Sequence, residues 1–381
     1  MGSQSFLHGK RMFKYLMTAV ALIALPLLGI TLAGFPVGQY FEFPPVTRYV
    51  YHAAYSRPAF MAYLCFIVAA TAPVLYRIIL YAAIVRKVPE DAQPFPWLGW
   101  LGLTAGMLFW ILAWTRFSWF RRFQLHTFVP LWMCYILVVN ALVYRRQGRC
   151  MITAQPGFFL MLFPVSSLFW WFFEYLNRYA QNWYYTGVEL SPLEYVGYAM
   201  VAFSMVLPAV LGTREWIRGI DWFDRGFRNW VCIDFGRFAP IMASAVLITG
   251  LAGLAMVGIW PDYLFAMLWV APVFILVSLQ VLAGEEHVFS GIAVGDWRPV
   301  ISSVLAALIC GCFWEMWNWK SLAKWGYSLP FVDRYPIFEM PVLGYAGYLP
   351  FGIECAIVGA IVEFAYCHLS GQEPEKNSMR R

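Results

Sequence analysis

Residues 237–258 read RFAPIMASAVLITGLAGLAMVG, with no charged side chain after Arg237. A helix of about 20 apolar residues is long enough to cross the hydrocarbon core of a bilayer. Similar runs recur along the chain of 381 residues, of which 61% are hydrophobic and only 13% charged. A soluble domain carries about 25% charged residues. The composition therefore excludes a soluble enzyme, a disordered chain and a disulfide scaffold, and it predicts an all-α polytopic membrane protein.

The apolar runs predict about ten transmembrane helices. They lie at 15–34, 58–84, 96–115, 127–145, 157–173, 194–212, 237–258, 263–283, 299–314 and 342–366. The first is interpreted as an uncleaved helix, because its apolar stretch is longer than that of a signal peptide. In the loop at 213–236, Trp216, Phe223 and Trp230 recur at helical spacing among charged residues. This pattern predicts an amphipathic helix lying in the membrane interface.

Basic residues are distributed unequally between alternate loops. Of the 27 Lys and Arg residues, 17 fall on the side of both chain ends and nine on the other side, while Arg77 lies within the second span. Cytoplasmic loops carry the excess of Lys and Arg in membrane proteins. Both termini are therefore predicted to be cytoplasmic, in a membrane such as the bacterial inner membrane. The same bias accounts for the net charge of +6, which does not indicate nucleic-acid binding.

One element occurs twice, each time between a span that ends and a span that begins on the outer side. It reads WFFEYLNRYAQNWYYTGVELSPLEYVGY at 171–198 and WEMWNWKSLAKWGYSLPFVDRYPIFEMPVLGY at 314–345. Both copies follow the order E-x-x-N, W-x-Y, E, G-Y. The aligned pairs are Glu174 with Glu315, Asn177 with Asn318, Trp183 with Trp325, Tyr185 with Tyr327, and Glu194 with Glu339.

The repeat predicts how the chain is organised. Spans 4–6 and 8–10 are expected to be duplicates, and both copies face the same side, so they form parallel repeats related by an axis along the membrane normal. The expected divisions are an N-terminal three-span region at 1–126, copy 1 at 127–212, the interfacial helix and a connecting span at 213–262, copy 2 at 263–368, and a cytoplasmic tail at 369–381.

The repeated side chains predict one shared site near the outer leaflet. The candidate catalytic carboxylates are Glu174, Glu194, Glu315 and Glu339, and the candidate substrate-binding residues are Asn177, Asn318, Trp183, Trp325, Tyr185 and Tyr327. A carboxyl partly removed from water is easier to protonate, whereas one at a helix N-terminus favours the ionised form. Such a pair can divide the roles of general acid and general base. The alternative is an aromatic interfacial belt with ordinary salt bridges.

The order of these residues resembles the integral-membrane lycopene cyclases of the small, tandem-domain type. The resemblance covers about 60 residues and is carried by Trp171 to Glu174, Trp183, Tyr185, Gly187 and Pro192-Leu193-Glu194 in the first copy, and by Trp314-Glu315, Trp325, Tyr327 and Phe338-Glu339 in the second. The second carboxylate of the family's pair is absent, because Tyr195 and Met340 stand there. The resemblance implies a proton-initiated reaction of an isoprenoid double bond, with the carbocation stabilised by aromatic faces.

Three functions follow as hypotheses. The first is a membrane-embedded acid/base enzyme acting on an isoprenoid or other lipid, of the cyclase, isomerase or hydratase kind. The second is a non-catalytic subunit of a membrane complex that binds carotenoid, quinone or lipid. The third is a proton-coupled transporter, which the parallel rather than inverted repeat disfavours. No cofactor is predicted, since Cys310-Gly-Cys312 is interpreted as helix packing and Glu285-Glu286-His287 as a solvated loop. The expected partners are a lipid or isoprenoid ligand and other membrane subunits.

Overall fold

The fold is a bundle of long helices. The computed structural model describes residues 2–45, 48–84 and 92–371, and the chain is 73% helical with almost no sheet. The α-helices are α1 Gly2–Leu32, α2 Arg57–Ile84, α3 Trp97–Trp114, α4 Phe128–Gln147, α5 Met151–Ala154, α6 Pro156–Ala180, α7 Pro192–Phe203, α8 Val206–Arg218, α9 Asp221–Phe227, α10 Ala239–Met256, α11 Pro261–Leu264, α12 Met267–Leu282, α13 Arg298–Trp319 and α14 Tyr348–Ser370. The strands are β1 Trp183–Thr186, β2 Lys324–Tyr327, β3 Pro336–Ile337 and β4 Met340–Pro341.

Within the described residues, nine helical segments are long and apolar enough to cross a membrane. They are Arg11–Leu32, Arg57–Ala83, Trp97–Trp114, Gln124–Gln147, Pro156–Ala180, Pro192–Arg218, Gly236–Met256, Arg298–Trp319 and Val342–Ser370. Each corresponds to one predicted span. The remaining predicted span, 263–283, corresponds to α12, which has only 16 residues. The prediction of an all-α polytopic membrane protein is confirmed.

The first and last helices meet at one end of the bundle. The Arg11 guanidinium in the first half of α1 lies 4.6 Å from the ring centroid of Phe364 near the end of α14. Lys14 Nζ lies 2.5 Å from Oε2 of Glu285, which directly follows α12. The described chain therefore crosses the bundle an even number of times, and α12 raises the number of crossings from nine to ten. We name this end the terminal end, and the opposite end, where β1 and β2 pair, the strand end.

The packing of the helices repeats with the sequence. Helices α4, α6 and α8 of copy 1 correspond to α12, α13 and α14 of copy 2. In the first copy α4 and α6 pack against α8, and in the second α12 and α13 pack against α14. Between the copies, α8 packs against α13 and α14 packs against α6. The contacts between the copies are therefore reciprocal, since each joins the last helix of one copy to the middle helix of the other.

The strands between the copies show the same reciprocity. β1 pairs with β2 in antiparallel register, with Trp183 opposite Tyr327 and Tyr185 opposite Trp325. The aligned Trp of each copy therefore faces the aligned Tyr of the other. Gly187 follows β1 with φ +93, and a Cβ there would lie 2.0 Å from the backbone oxygen of Leu322. Only glycine combines this left-handed conformation with so close an approach of the two loops.

The loop at 213–236 does not form the one continuous amphipathic helix that the sequence predicted. Helix α8 extends to Arg218, and the loop then contains only the seven-residue α9. Phe223 and Phe227 of α9 are completely buried within the protein, so their apolar face covers other helices rather than lipid. Arg77 of α2 donates to the backbone oxygens of Gly226 and Asn229. Helical spacing revealed the apolar face of α9 but not what it packs against.

The grouping of the loops generates a labelling prediction. Gln147, which ends α4 at the terminal end, and Thr186, at the strand end, are both exposed. We expect a membrane-impermeant maleimide to label Gln147→Cys only from the cytoplasmic side and Thr186→Cys only from the opposite side, because the basic loops cluster at the terminal end. The parent protein is the control for the exposed native residues Cys65, Cys232 and Cys312. Labelling of both added cysteines from the same side would contradict this topology.

Candidate functional site

The first repeated carboxyl lies near the strand end of α6. Glu174 is completely buried, and its Oε1 accepts three hydrogen bonds from its own copy. The donors are Trp170 Nε1 at 3.1 Å, Trp183 Nε1 at 3.1 Å and Tyr185 Oη at 2.5 Å. The other oxygen, Oε2, is buried and has no hydrogen-bond partner among the described residues. Three donors therefore orient this carboxyl through one oxygen.

The second repeated carboxyl has the same kind of surroundings. Glu315 near the end of α13 is also completely buried. Its Oε1 accepts from Tyr327 Oη at 2.6 Å and Tyr348 Oη at 3.0 Å, with Trp325 Nε1 more distant at 3.5 Å. Its Oε2 is buried and has no hydrogen-bond partner in the described part of the chain. The repeat is thus a repeated hydrogen-bond cluster, complete within each copy.

The third donor comes from a different place in each copy. In copy 1 it is Trp170, one helical turn before Glu174, whereas the corresponding position of copy 2 is Gly311. A Cβ at Gly311 would lie 2.5 Å from the ring of Tyr348. The absent side chain makes room for this ring, whose hydroxyl donates to Glu315. Sequence reasoning missed both Trp170 and Tyr348, although an indole four residues before a buried glutamate was a usable signal.

The two asparagines hold the strands against the helix ends. Asn177 Nδ2 donates to Trp183 O at 2.8 Å, and its Oδ1 accepts from Asn182 N at 2.8 Å. Asn318 makes the matching pair with Trp325, donating to its O at 2.8 Å and accepting from its N at 2.9 Å. A buried backbone group left unpaired costs about 1–3 kcal/mol. The amides therefore position β1 and β2, while their predicted contact with a substrate stays a prediction.

The tyrosine hydroxyls of the two clusters remain protonated and act as hydrogen-bond donors. Burial, followed by the negative charge of Glu174, raises the pKa of Tyr185 well above its ordinary value. Burial and the charge of Glu315 raise the pKa of Tyr327 in the same way. Each tyrosine therefore keeps its proton at neutral pH, and its hydroxyl donates a hydrogen bond to the neighbouring carboxyl.

A cavity of about 780 Å³ lies between the copies at the strand end. Trp183 and Tyr185 of copy 1 and Trp325 and Tyr327 of copy 2 all lie in its wall, together with Glu315. Its remaining wall is mainly apolar and aromatic. We name it the strand-end cavity. The prediction that one pocket would be lined by the tryptophans of both copies agrees with this geometry.

The structure does not bring all four predicted carboxylates to this cavity. Of the four, only Glu315 contributes to its wall, whereas Glu174 accepts hydrogen bonds from Trp183 and Tyr185, which do. Glu194 is exposed at the N-terminus of α7, where its Oε2 accepts from Ser191 N at 3.0 Å. Glu339 forms an ion pair with Lys324, at 2.6 Å. The prediction that four carboxylates line one pocket is therefore wrong, since only one of them does. Sequence alignment matched Glu194 with Glu339, but Glu194 caps a helix and Glu339 pairs with a lysine.

Other candidates from the sequence have structural partners. Glu285 pairs with Lys14, as described above, and burial lowers the pKa of His287. Cys310 is completely buried, and its Sγ lies 3.5 Å from Thr213 Oγ1. Among the described residues no group of three His, Cys, Asp or Glu side chains could hold a metal ion.

The chain was compared with protein-family models, with curated proteins and with solved structures, and none of them matches it. The resemblance to lycopene cyclases therefore stays a prediction.

Copy 2 has Gly311 where copy 1 has Trp170, and this difference leads to a prediction about stability. In Gly311→Ala the new methyl group displaces the Tyr348 ring, and we expect a loss of about 1–3 kcal/mol, typical of overpacking. The control is Gly197→Ala in α7, where a Cβ meets nothing within 4 Å. Replacing glycine by alanine in an unhindered helix stabilises it by up to about 1 kcal/mol. Thermal unfolding followed by tryptophan fluorescence should separate the two variants, and a midpoint for Gly311→Ala at or above that of the wild type would contradict the assignment.

Proposed function

We propose that the protein is a membrane-embedded acid/base enzyme that acts on an isoprenoid or other lipid bound in the strand-end cavity, with Glu315 as the proton donor. The observation that carries the proposal is the position of Glu315 in the wall of an apolar cavity, with one buried carboxyl oxygen that has no hydrogen-bond partner among the described residues.

The hydrogen bonds around Glu315 favour a proton on one oxygen. Oε1 already accepts from Tyr327 and Tyr348, so a proton on that atom would oppose both donors. The proton of the neutral acid therefore resides on Oε2, which makes no competing hydrogen bond to the described residues. A buried carboxyl without a positive partner favours the neutral form. These features suit a general acid held in a fixed orientation.

The cavity wall suits a hydrophobic substrate and a cationic intermediate. The volume of about 780 Å³ lies within the range of ligand sites, about 300–1,000 Å³.

 

Trp183 and Trp325 present indole rings to this space, and the face of an aromatic ring attracts a cation.

In the simplest reaction that a single acid can catalyse, Glu315 gives one proton to the substrate and takes one back. Glu315 transfers the Oε2 proton to one carbon of a C=C bond, and the other carbon becomes cationic. Loss of a proton from a neighbouring carbon to the Glu315 carboxylate forms a new C=C bond and restores the acid. Ring closure before that loss gives a cyclisation, and loss without it gives an isomerisation.

A second candidate is a lipid-binding subunit without catalytic activity. It is favoured by the completeness of each cluster, since Glu174 and Glu315 both accept hydrogen bonds from donors of their own copy. In that case the carboxyls serve to hold the strands and the cavity together. The two candidates differ in whether a bound lipid exchanges carbon-bound hydrogen with water.

Deuterium labelling distinguishes them. Purified protein in nanodiscs made from its native membrane lipids is incubated in D₂O, and the extracted lipids are analysed by mass spectrometry. We expect one lipid species to gain carbon-bound deuterium with the wild type and to lose this label with Glu315→Gln, which keeps the shape of the side chain but cannot donate the acid proton. Glu189→Gln, an exposed loop position, is the control and should label like the wild type.

The outcomes that contradict the enzyme are equally specific. A lipid that copurifies with the wild type but never gains deuterium identifies a binding subunit. Equal labelling by the wild type and by folded Glu315→Gln removes Glu315 from the chemistry. Folding of each variant is checked by size-exclusion chromatography, so that loss of label is not confused with loss of structure.

A further inference from the structure

A carboxyl with no role in either cluster lies deep in the last helix. Glu354 of α14 is only 1% exposed, and neither of its side-chain oxygens has a hydrogen-bond partner among the described residues. Sequence reasoning gave it no role, although a carboxylate inside the predicted span 342–366 was itself a signal, because ionisable residues within a membrane are costly. An unpaired carboxylate in an apolar interior is so unfavourable that the group holds a proton instead.

Glu354 lies between two cavities along α14. The strand-end cavity reaches Phe351, three residues before it. A second cavity, of about 730 Å³, includes Ala356 and Ile357, which follow it. Residues three apart share one helix face, and three residues correspond to a rise of about 4.5 Å. Along α14, Glu354 therefore lies between the residue that lines the strand-end cavity and the residues that line the second one.

The second cavity belongs to the terminal end and has more charged side chains in its wall than the strand-end cavity. We name it the terminal-end cavity. Its charged wall residues are Arg149, Arg214, Arg218, Arg298, Glu215 and Glu363. A cavity with six charged side chains in its wall holds water. This water gives protons a path from the terminal end to the middle of the bundle.

The polar part of this cavity extends to the depth of Glu354. Arg214 Nε donates to Ser303 Oγ at 2.9 Å. The backbone oxygen of Ser303 lies against α14, since a Cβ at Gly352 would be 2.1 Å from it. Gly352 is two residues from Glu354, so the half-buried Arg214 of the terminal-end cavity and the Glu354 carboxyl, which has no hydrogen-bond partner among the described residues, lie at similar depths.

We propose that Glu354 relays protons between the terminal-end cavity and the strand-end cavity, which makes the protein a proton pathway across the membrane. The carboxyl receives a proton from water in one cavity and releases it to water in the other. It is neutral while it holds the proton, so the costly charged form exists only between release and recapture. Each transferred proton moves one positive charge across the membrane. The proposal goes beyond the proposed function, because it requires no lipid substrate.

Proton flux into liposomes tests the relay. The full chain is reconstituted into liposomes loaded with K⁺ and a pH-sensitive dye, and valinomycin creates an inside-negative potential that drives protons inward. We expect the wild type to acidify the lumen faster than protein-free liposomes do. Glu354→Gln should lower this rate to that of protein-free liposomes, because an amide cannot carry the proton. Glu354→Asp should keep part of the rate, and Glu189→Gln all of it.

Every outcome decides the proposal. A wild-type rate equal to that of protein-free liposomes overturns it, and so does a folded Glu354→Gln variant that conducts like the wild type. Should Glu354→Gln fail to fold, the wild-type rate and the Glu354→Asp rate still decide, since an unchanged rate in Glu354→Asp contradicts a relay that depends on the reach of the side chain. The assay contains no isoprenoid, so its failure leaves the deuterium experiment on Glu315 untouched, and the reverse also holds.

Discussion

The antiparallel pairing of β1 with β2 is the interaction on which the arrangement of the site depends. Each copy ends a long helix and follows it with a strand of four residues. The backbone groups of so short a strand need partners, particularly near the apolar boundary of a membrane. Asn177 or Asn318 satisfies part of them from within the copy, and the strand of the other copy satisfies the rest. Neither strand therefore finds its sheet partner within its own copy, although each carboxyl finds its donors there.

The same pairing explains why the two carboxyl clusters adjoin one cavity. The register places Trp183 opposite Tyr327 and Tyr185 opposite Trp325, and these are the side chains that donate to Glu174 and Glu315. The copies then diverge through Gly311, which admits the Tyr348 ring in place of the indole that Trp170 provides in copy 1. As a result the duplicated carboxyls are alike in their hydrogen bonds but differ in access, since Glu315 reaches the cavity wall and Glu174 does not.

The sequence predicts the membrane helices and the repeated cluster well, because both leave local signals. Apolar length identifies a span, and E-x-x-N followed by W-x-Y identifies a helix end with its returning strand. The third donors, Trp170 and Tyr348, could not be paired by alignment, because they come from different elements. Glu194 and Glu339 occupy matching places in the sequence but different surroundings. Phe223 and Phe227 show the apolar face of α9, but only the tertiary structure reveals that protein rather than lipid covers it.

The central claim is the register between the copies, and disulfide cross-linking measures it directly. Thr186 and Lys324 are paired in the sheet, and Cα atoms of paired strand residues are about 4.5–5.5 Å apart, within the range that a disulfide spans. The account predicts that mild oxidation cross-links Thr186→Cys with Lys324→Cys, as detected by mass spectrometry of the linked peptides. The matched control joins Thr186→Cys to Ser328→Cys, four residues out of register, and should not cross-link. Cross-linking of the control pair but not of the paired positions would contradict the account.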